Sequence, residues 1–115
     1  MPATESSAPD NVAVVGVPAD GQLVAEHFSR ASFFVLAKVS PGRVRDVRIV
    51  AFPARGKGSP AIFLAGLGVN LVLACEIGER AARALKERGI EIQTGVTGPI
   101  ELALRGVANP GPAES

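Results

Sequence analysis

Hydrophobic positions along this chain fall into short runs separated by regular turn signals. Val12-Ala13-Val14-Val15-Gly16-Val17 is a continuous apolar run closed by Pro18, the pattern of a central strand covered on both faces. Ala19-Asp20-Gly21-Gln22 reads as a turn. Ser32 to Val39 is rich in Phe and Val, and Arg43 to Phe52 sets Val44, Val47, Ile49 and Phe52 among Arg43, Arg45, Asp46 and Arg48. Between them, Ser40-Pro41-Gly42-Arg43 places Pro and Gly at the central positions of a type II turn, so the two runs form a hairpin.

The second half alternates between helical and strand patterns. Pro53 to Gly58 is a basic loop carrying Arg55 and Lys57. Ser59 and Pro60 then suit the cap and first position of a short apolar helix running through Leu67. Val69 to Ala74 predicts a buried strand. Glu79 to Arg88 is the clearest helix: Ile77, Ala81 and Leu85 recur every four residues, Arg83, Lys86 and Glu87 face outward, and Gly89 supplies the stop. Ile90 to Thr94 is a further strand and Pro99 to Val107 a final short helix. The resulting order, β-β-β-α-β-α-β-α, predicts an α/β protein with a five-stranded mixed sheet flanked by helices.

Composition narrows the functional classes. At 115 residues the chain holds one domain, expected at 11–107 between mobile polar tails at 1–10 and 108–115. Aromatic content is 4%, all phenylalanine, so the core must be largely aliphatic. A formal charge of +1 provides no global field for nucleic acid or a membrane surface, and neither is expected as a partner. One cysteine excludes an internal disulfide and a zinc site of four cysteines or paired Cys and His. The polar, acidic start does not read as a signal peptide, and no run reaches the roughly 18 apolar residues of a membrane span. A cytoplasmic protein with a reduced thiol is the expectation.

Two polar segments carry the candidate chemistry. His27-Phe28-Ser29-Arg30-Ala31 contains the only histidine, and Cys75-Glu76-Ile77-Gly78-Glu79-Arg80-Ala81 the only cysteine. Each sets an arginine beside a potential metal-binding atom, a pattern suited to a soft, anionic ligand. His27 either ligates metal through a neutral ring nitrogen or fixes its turn by hydrogen bonding. Cys75 ends a strand, where α/β sheets place their sites, yet a lone cysteine is also an ordinary small hydrophobe. Arg30 and Arg80 either contact an anion or pair with Glu26, Glu76 and Glu79. Gly78 precedes a helix start whose free N–H groups can face an anion. Arg55 and Lys57 read as a solvated loop or as a basic flap over such a ligand.

With these segments in place, the chain resembles the dinitrogenase iron–molybdenum cofactor family. The resemblance rests on the Val12 to Val17 strand, His27-Phe28-Ser29-Arg30-Ala31, Phe33-Phe34, Glu76-Ile77-Gly78-Glu79-Arg80-Ala81 and the closing Thr94-Gly95-Val96-Thr97-Gly98. It implies a ribonuclease H-like fold. It also implies a non-catalytic carrier that binds and transfers a preassembled iron–molybdenum–sulfur cluster, or a related metal–sulfide cluster, to or from cofactor-assembly or acceptor proteins of nitrogen fixation. On that reading His27, Arg30, Gly78 and Arg80 bind the cofactor, with His27 and Cys75 as metal ligands. Two positions depart from the family pattern: Ser29 stands for the usual glycine and Glu79 for the usual proline.

Other chemistries fit poorly. Two-metal nuclease activity needs clustered carboxylates, and the first strand has none. No nucleophile motif marks a serine or Cys75 for acyl transfer. Ala65-Gly66-Leu67-Gly68 lies at a helix-to-strand junction, the reverse of a dinucleotide loop. The alternative to a carrier is a structural or regulatory module of the same fold that binds a protein partner or small anion without a cluster.

Overall fold

The computed structural model describes residues 12–52 and 60–109. Its strands are β1 (Ala13–Asp20), β2 (Leu23–Val24), β3 (Phe33–Ser40), β4 (Arg43–Ala51), β5 (Leu71–Leu73) and β6 (Glu91–Gln93). The helices are α1 (Pro60–Gly66), α2 (Glu79–Glu87) and α3 (Ile100–Ala108), and a single 3-10 turn spans Phe28–Arg30. The sheet runs β4-β3-β1-β5-β6, with β2 attached to the end of β1. β4, β3 and β1 are antiparallel neighbours, while β1, β5 and β6 are parallel. A mixed α/β sheet is therefore present, with six strands rather than five.

Period-2 alternation assigns each strand residue to one of two cores. Val15, Val17, Val35, Ala37, Val39, Leu71 and Leu73 face α3, which answers with Ile100, Leu104 and Ala108. Phe34, Leu36, Val72 and Ala74 face α1 and α2, which contribute Ala61, Leu64 and Leu85, together with Phe28 from the 3-10 turn. Phe34 is the hub of that second core. Its ring centroid lies 5.6 Å from Phe28, 6.2 Å from Phe52 and 6.3 Å from Phe63. Among the described residues no polar or charged side chain is buried, so every candidate functional group lies at or near the surface.

Three local expectations change. β1 does not stop at Pro18. In an extended strand a residue's N–H and C=O point the same way, and Pro18 O accepts from Ala25 N–H at 2.8 Å, on the β2 side. The missing proline donor thus costs no bond to β3, where Pro18 sits opposite Phe34. Leu23–Val24, expected only as chain following a turn, pairs with Ala19 and Asp20 as a sixth strand. β4 does not alternate continuously, because Leu36 pairs with Arg48 and Lys38 with Arg45, leaving Asp46 and Val47 together opposite Ala37. This bulge explains why Val44 and Val47 are three residues apart yet share the α3 side, and why Phe52 packs on the other face. The Pro41-Gly42 turn forms as expected: Gly42 has φ +74° and its N–H donates to Ala108 O at 2.9 Å, tying the hairpin to the end of α3.

Asp46 is the one non-glycine residue with positive φ (55°) among those described, and its carboxylate lies 3.6 Å from Lys38 Nζ. A short polar side chain tolerates this conformation where a β-branched one does not. Asp46→Val should therefore lower the unfolding free energy by about 1–2 kcal/mol, whereas Asp46→Gly should change it by less than about 0.5 kcal/mol. Urea titration of the two variants checks the difference, and equal losses would show that the bulge does not constrain this backbone.

Candidate functional site

The parallel strands β1 and β5 pair only at Val15–Leu71 and Gly16–Val72. Beyond that point β1 pairs with β2, and the chain after β2 lies beside the exit of β5. Phe28 N–H donates to Glu76 O (3.0 Å) and Glu76 N–H donates to Glu26 O (3.1 Å), making a one-residue parallel bridge between His27 and Glu76. The two polar segments singled out from the sequence thus meet. Phe28 holds the junction in place: it is 1% exposed, in edge contact with Phe34, while His27 before it and Ser29 and Arg30 after it remain exposed. A buried aromatic between polar neighbours fixes the direction of a short turn that lacks a side-chain cap.

Across the bridge, His27 Nδ1 lies 3.2 Å from Glu76 Oε1, with the imidazole 44% exposed. A carboxylate accepting from Nδ1–H selects the tautomer whose Nε2 lone pair is free, the arrangement that orients a metal-ligating histidine. The sequence marks Glu76 only as an arginine partner; its pairing with His27 arises from the bridge between the two segments. His27 and Arg30 line one open hollow of about 480 Å³ with Asp20, Gly21, Glu26 and Phe33. Arg30 N–H donates to His27 O (3.1 Å), so one turn fixes the spacing of the two.

The remaining candidates lie apart from that hollow. Cys75 is half-buried and packs against the α3-side core, and its carbonyl accepts from Gly95 N–H (3.0 Å). Gly78 caps α2 and Arg80 is exposed on its first turn; neither lines the hollow. Among the described residues neither Arg30 nor Arg80 forms an ion pair, so the surface-pair alternative finds no support in the arginines' geometry. Arg55 and Lys57 fall outside the described residues. The same residues contain no group of three or more His, Cys, Asp and Glu able to hold a bare metal ion. Sequence reasoning missed Asp20 and Glu26 as walls of the hollow. Both acids line the same hollow as Arg30, and their negative charge opposes an anionic ligand there.

Both departures from the family pattern prove structurally mild. Ser29 is not among the residues of positive φ, so its backbone does not require glycine. Glu79 opens α2, where an acid suits the helix dipole, and its carboxylate is engaged by Arg83 at 3.3 Å.

Fold and site together define a small α/β protein with an exposed hollow lined by His27 and Arg30 at the carboxyl end of β1. The sequence profile of the dinitrogenase iron–molybdenum cofactor family matches residues 11–109, and the chain belongs to that family. It is 26% identical over 96 residues to an uncharacterized protein of Methanocaldococcus jannaschii, covering 79% of this chain and 81% of the relative. The crystal structure of PH0822 superposes with a TM-score of 0.78 at 30% identity, covering 83% of this chain and 88% of that one. The apo form of the orange protein from Desulfovibrio gigas shares the fold, with a TM-score of 0.65 at 24% identity, covering 82% and 85%. No helix among the described residues is long and apolar enough to cross a membrane.

The His27–Glu76 pair is exposed, so its expected effect is on orientation more than on stability. Glu76→Ala should leave the unfolding free energy within about 1 kcal/mol of the parent while shifting His27 from the Nδ1–H tautomer toward the Nε2–H form. Imidazole ¹⁵N shifts at alkaline pH report this directly; an unchanged tautomer would show that Glu76 does not set it.

Proposed function

We propose that this chain is a non-catalytic carrier for an anionic metal–sulfur cluster of the iron–molybdenum cofactor or precursor type, built on a ribonuclease H-like fold. The observation that carries this reading is the carboxylate-held imidazole: His27 Nδ1 is engaged by Glu76 and Nε2 remains for metal, beside the exposed Arg30. A cluster that brings its own sulfides satisfies most of its metal valences internally, so one protein ligand and a nearby guanidinium suffice to seat it. A bare ion would need three or four protein donors, which the described residues do not assemble. Family membership supports the class of cargo. The strand order β4-β3-β1-β5-β6 supports the fold name, with β2 as an addition.

In this reading His27 is the metal ligand, and Arg30 stabilises the cluster's charge. Arg80 and the N–H groups at the start of α2 after Gly78 are outer, accessory contacts. Cys75 is the weaker candidate ligand because it packs on the opposite core. A cytoplasmic location, and delivery to or from cofactor-assembly or acceptor proteins of nitrogen fixation, complete the proposal. The sparse donor set favours one second reading, a module of the same fold that binds a protein partner or small anion and no cluster.

Anaerobic reconstitution with isolated iron–molybdenum cofactor separates the two. The carrier retains about one cluster per chain through desalting. His27→Ala should abolish the visible absorption, Glu76→Ala should weaken retention roughly tenfold, and Cys75→Ser should leave it unchanged. Failure of the wild-type chain to retain metal under reducing conditions selects the module. Charge gives an opposing pair of outcomes in the same assay. Arg30→Ala should loosen the cluster and Asp20→Asn should tighten it, each by a few-fold, since only an anionic cargo seated in this hollow responds with both signs.

A further inference from the structure

The outer part of the α3 side of the sheet has no covering element among the described residues. Val35, Val44, Val47, Ile49, Ile100 and Leu104 line an open groove of about 610 Å³ between α3 and β4. Val47 is 56% and Ile49 68% exposed, although both belong to a strand; both line this groove, and Val47, in the bulge, also borders Leu36 and Arg48 on the other face. Gly21 lines the groove and also the His27 hollow, and Phe33, 49% exposed, neighbours the Val35–Ile49 pair and lines that hollow too. Groove and hollow are one continuous surface.

The groove borders a strand edge that can still pair. Phe52 N–H donates inward to Ser32 O at 2.8 Å, so alternation along the strand turns the N–H and C=O of Val50 and Arg48 toward β3 and those of Ala51 and Ile49 outward. No strand takes up that outer side among the described residues. Charge then selects the occupant. β4 carries Arg43, Arg45 and Arg48 against a single acid, Asp46, which already faces Lys38. A second copy pairing edge to edge would set these arginines against each other, and like charges across adjacent strands destabilise a sheet. An acidic strand would meet them favourably.

We propose that the β4 edge is a docking site for an extended acidic segment of a partner protein, added to the sheet as a further strand. Its apolar side chains would fill the Val47–Ile49 groove and its carboxylates would meet Arg45 and Arg48 on the opposite face. Because this surface runs into the hollow, a partner docked there stands beside whatever the hollow holds.

The test uses the full chain without any cluster and a fluorescent nine-residue peptide of alternating Glu and Val, with a Lys-for-Glu peptide as its counterpart. The acidic peptide should bind saturably by anisotropy and weaken between about 20 mM and about 300 mM salt. The double variant Val47→Thr with Ile49→Thr should bind roughly tenfold more weakly, as should Arg45→Glu with Arg48→Glu, with circular dichroism confirming that each folds. Amide resonances of Ile49 and Ala51 should shift on binding. Equal binding of the two peptides, or no saturation by about 1 mM, would overturn the proposal. So would a dimer of the chain alone, by sedimentation, that the Thr variant dissolves; the second copy would then be the occupant. As no arm contains cluster, failure here is distinct from failure of the reconstitution.

Discussion

The site depends on one packing interaction, the burial of Phe28 against Phe34. Nothing else in the Phe28–Arg30 turn is buried, and His27 provides no side-chain cap for it. Fully burying a phenylalanine contributes on the order of 2–3 kcal/mol, with an increment for edge-on contact with a second ring. Backbone bonds from Phe28 to Glu76, and from Glu76 to Glu26, then tie this turn to the exit of β5. Phe34 is itself held by Phe52 and Phe63, so a chain with few aromatic residues gathers four of its five phenylalanines at the turn that follows His27. The exposed imidazole gains its position from apolar packing one residue away.

The large elements were legible because each carried more than one signal. Helix α2 showed apolar residues every four positions and ended before a glycine that takes φ +77°. The β3–β4 hairpin had a turn whose glycine needs φ +74°. What escaped were features fixed by partners distant in sequence. Two residues, Leu23 and Val24, are too short for any period to register, and they become a strand only because β1 extends past Pro18 to meet them. The bulge left a trace in the three-residue step from Val44 to Val47, but only pairing with β3 shows which residue is extra. The site was half legible for the same reason. His27 and Arg30, on one turn, could be read together, whereas Glu76, Asp20 and Glu26 join them through the topology alone.

Charge within the hollow sets a constraint on any anionic cargo. One cationic residue, Arg30, lines the hollow with two acidic ones, Asp20 and Glu26. With all of these exposed, water and salt screen the repulsion over about 8–10 Å. An anion therefore gains little from the hollow's average field and depends on short contacts, namely a metal–imidazole bond and a guanidinium hydrogen bond. Weak, contact-limited holding fits the proposed carrier role, in which release would require only that a few contacts be lost.

The hollow lies beside the carboxyl end of β1, walled by Ala19, Asp20, Glu26, His27, Arg30 and Phe33 and by no residue of β5. After Gly16 pairs with Val72, β1 continues alongside β3 and β2 while β5 continues toward Glu76, and the chain following β2 re-enters at His27 to bridge β5. Open α/β sheets bind ligands where neighbouring strands diverge at their carboxyl ends, because the crevice there needs no side chain to be removed to make room. Here the His27–Glu76 bridge fixes the turn that carries His27 and Arg30 against the exit of β5, and the hollow opens between that turn and the ends of β1 and β3. That space can accept a rigid guest without rearranging the core, so binding and release need cost the protein little conformational free energy.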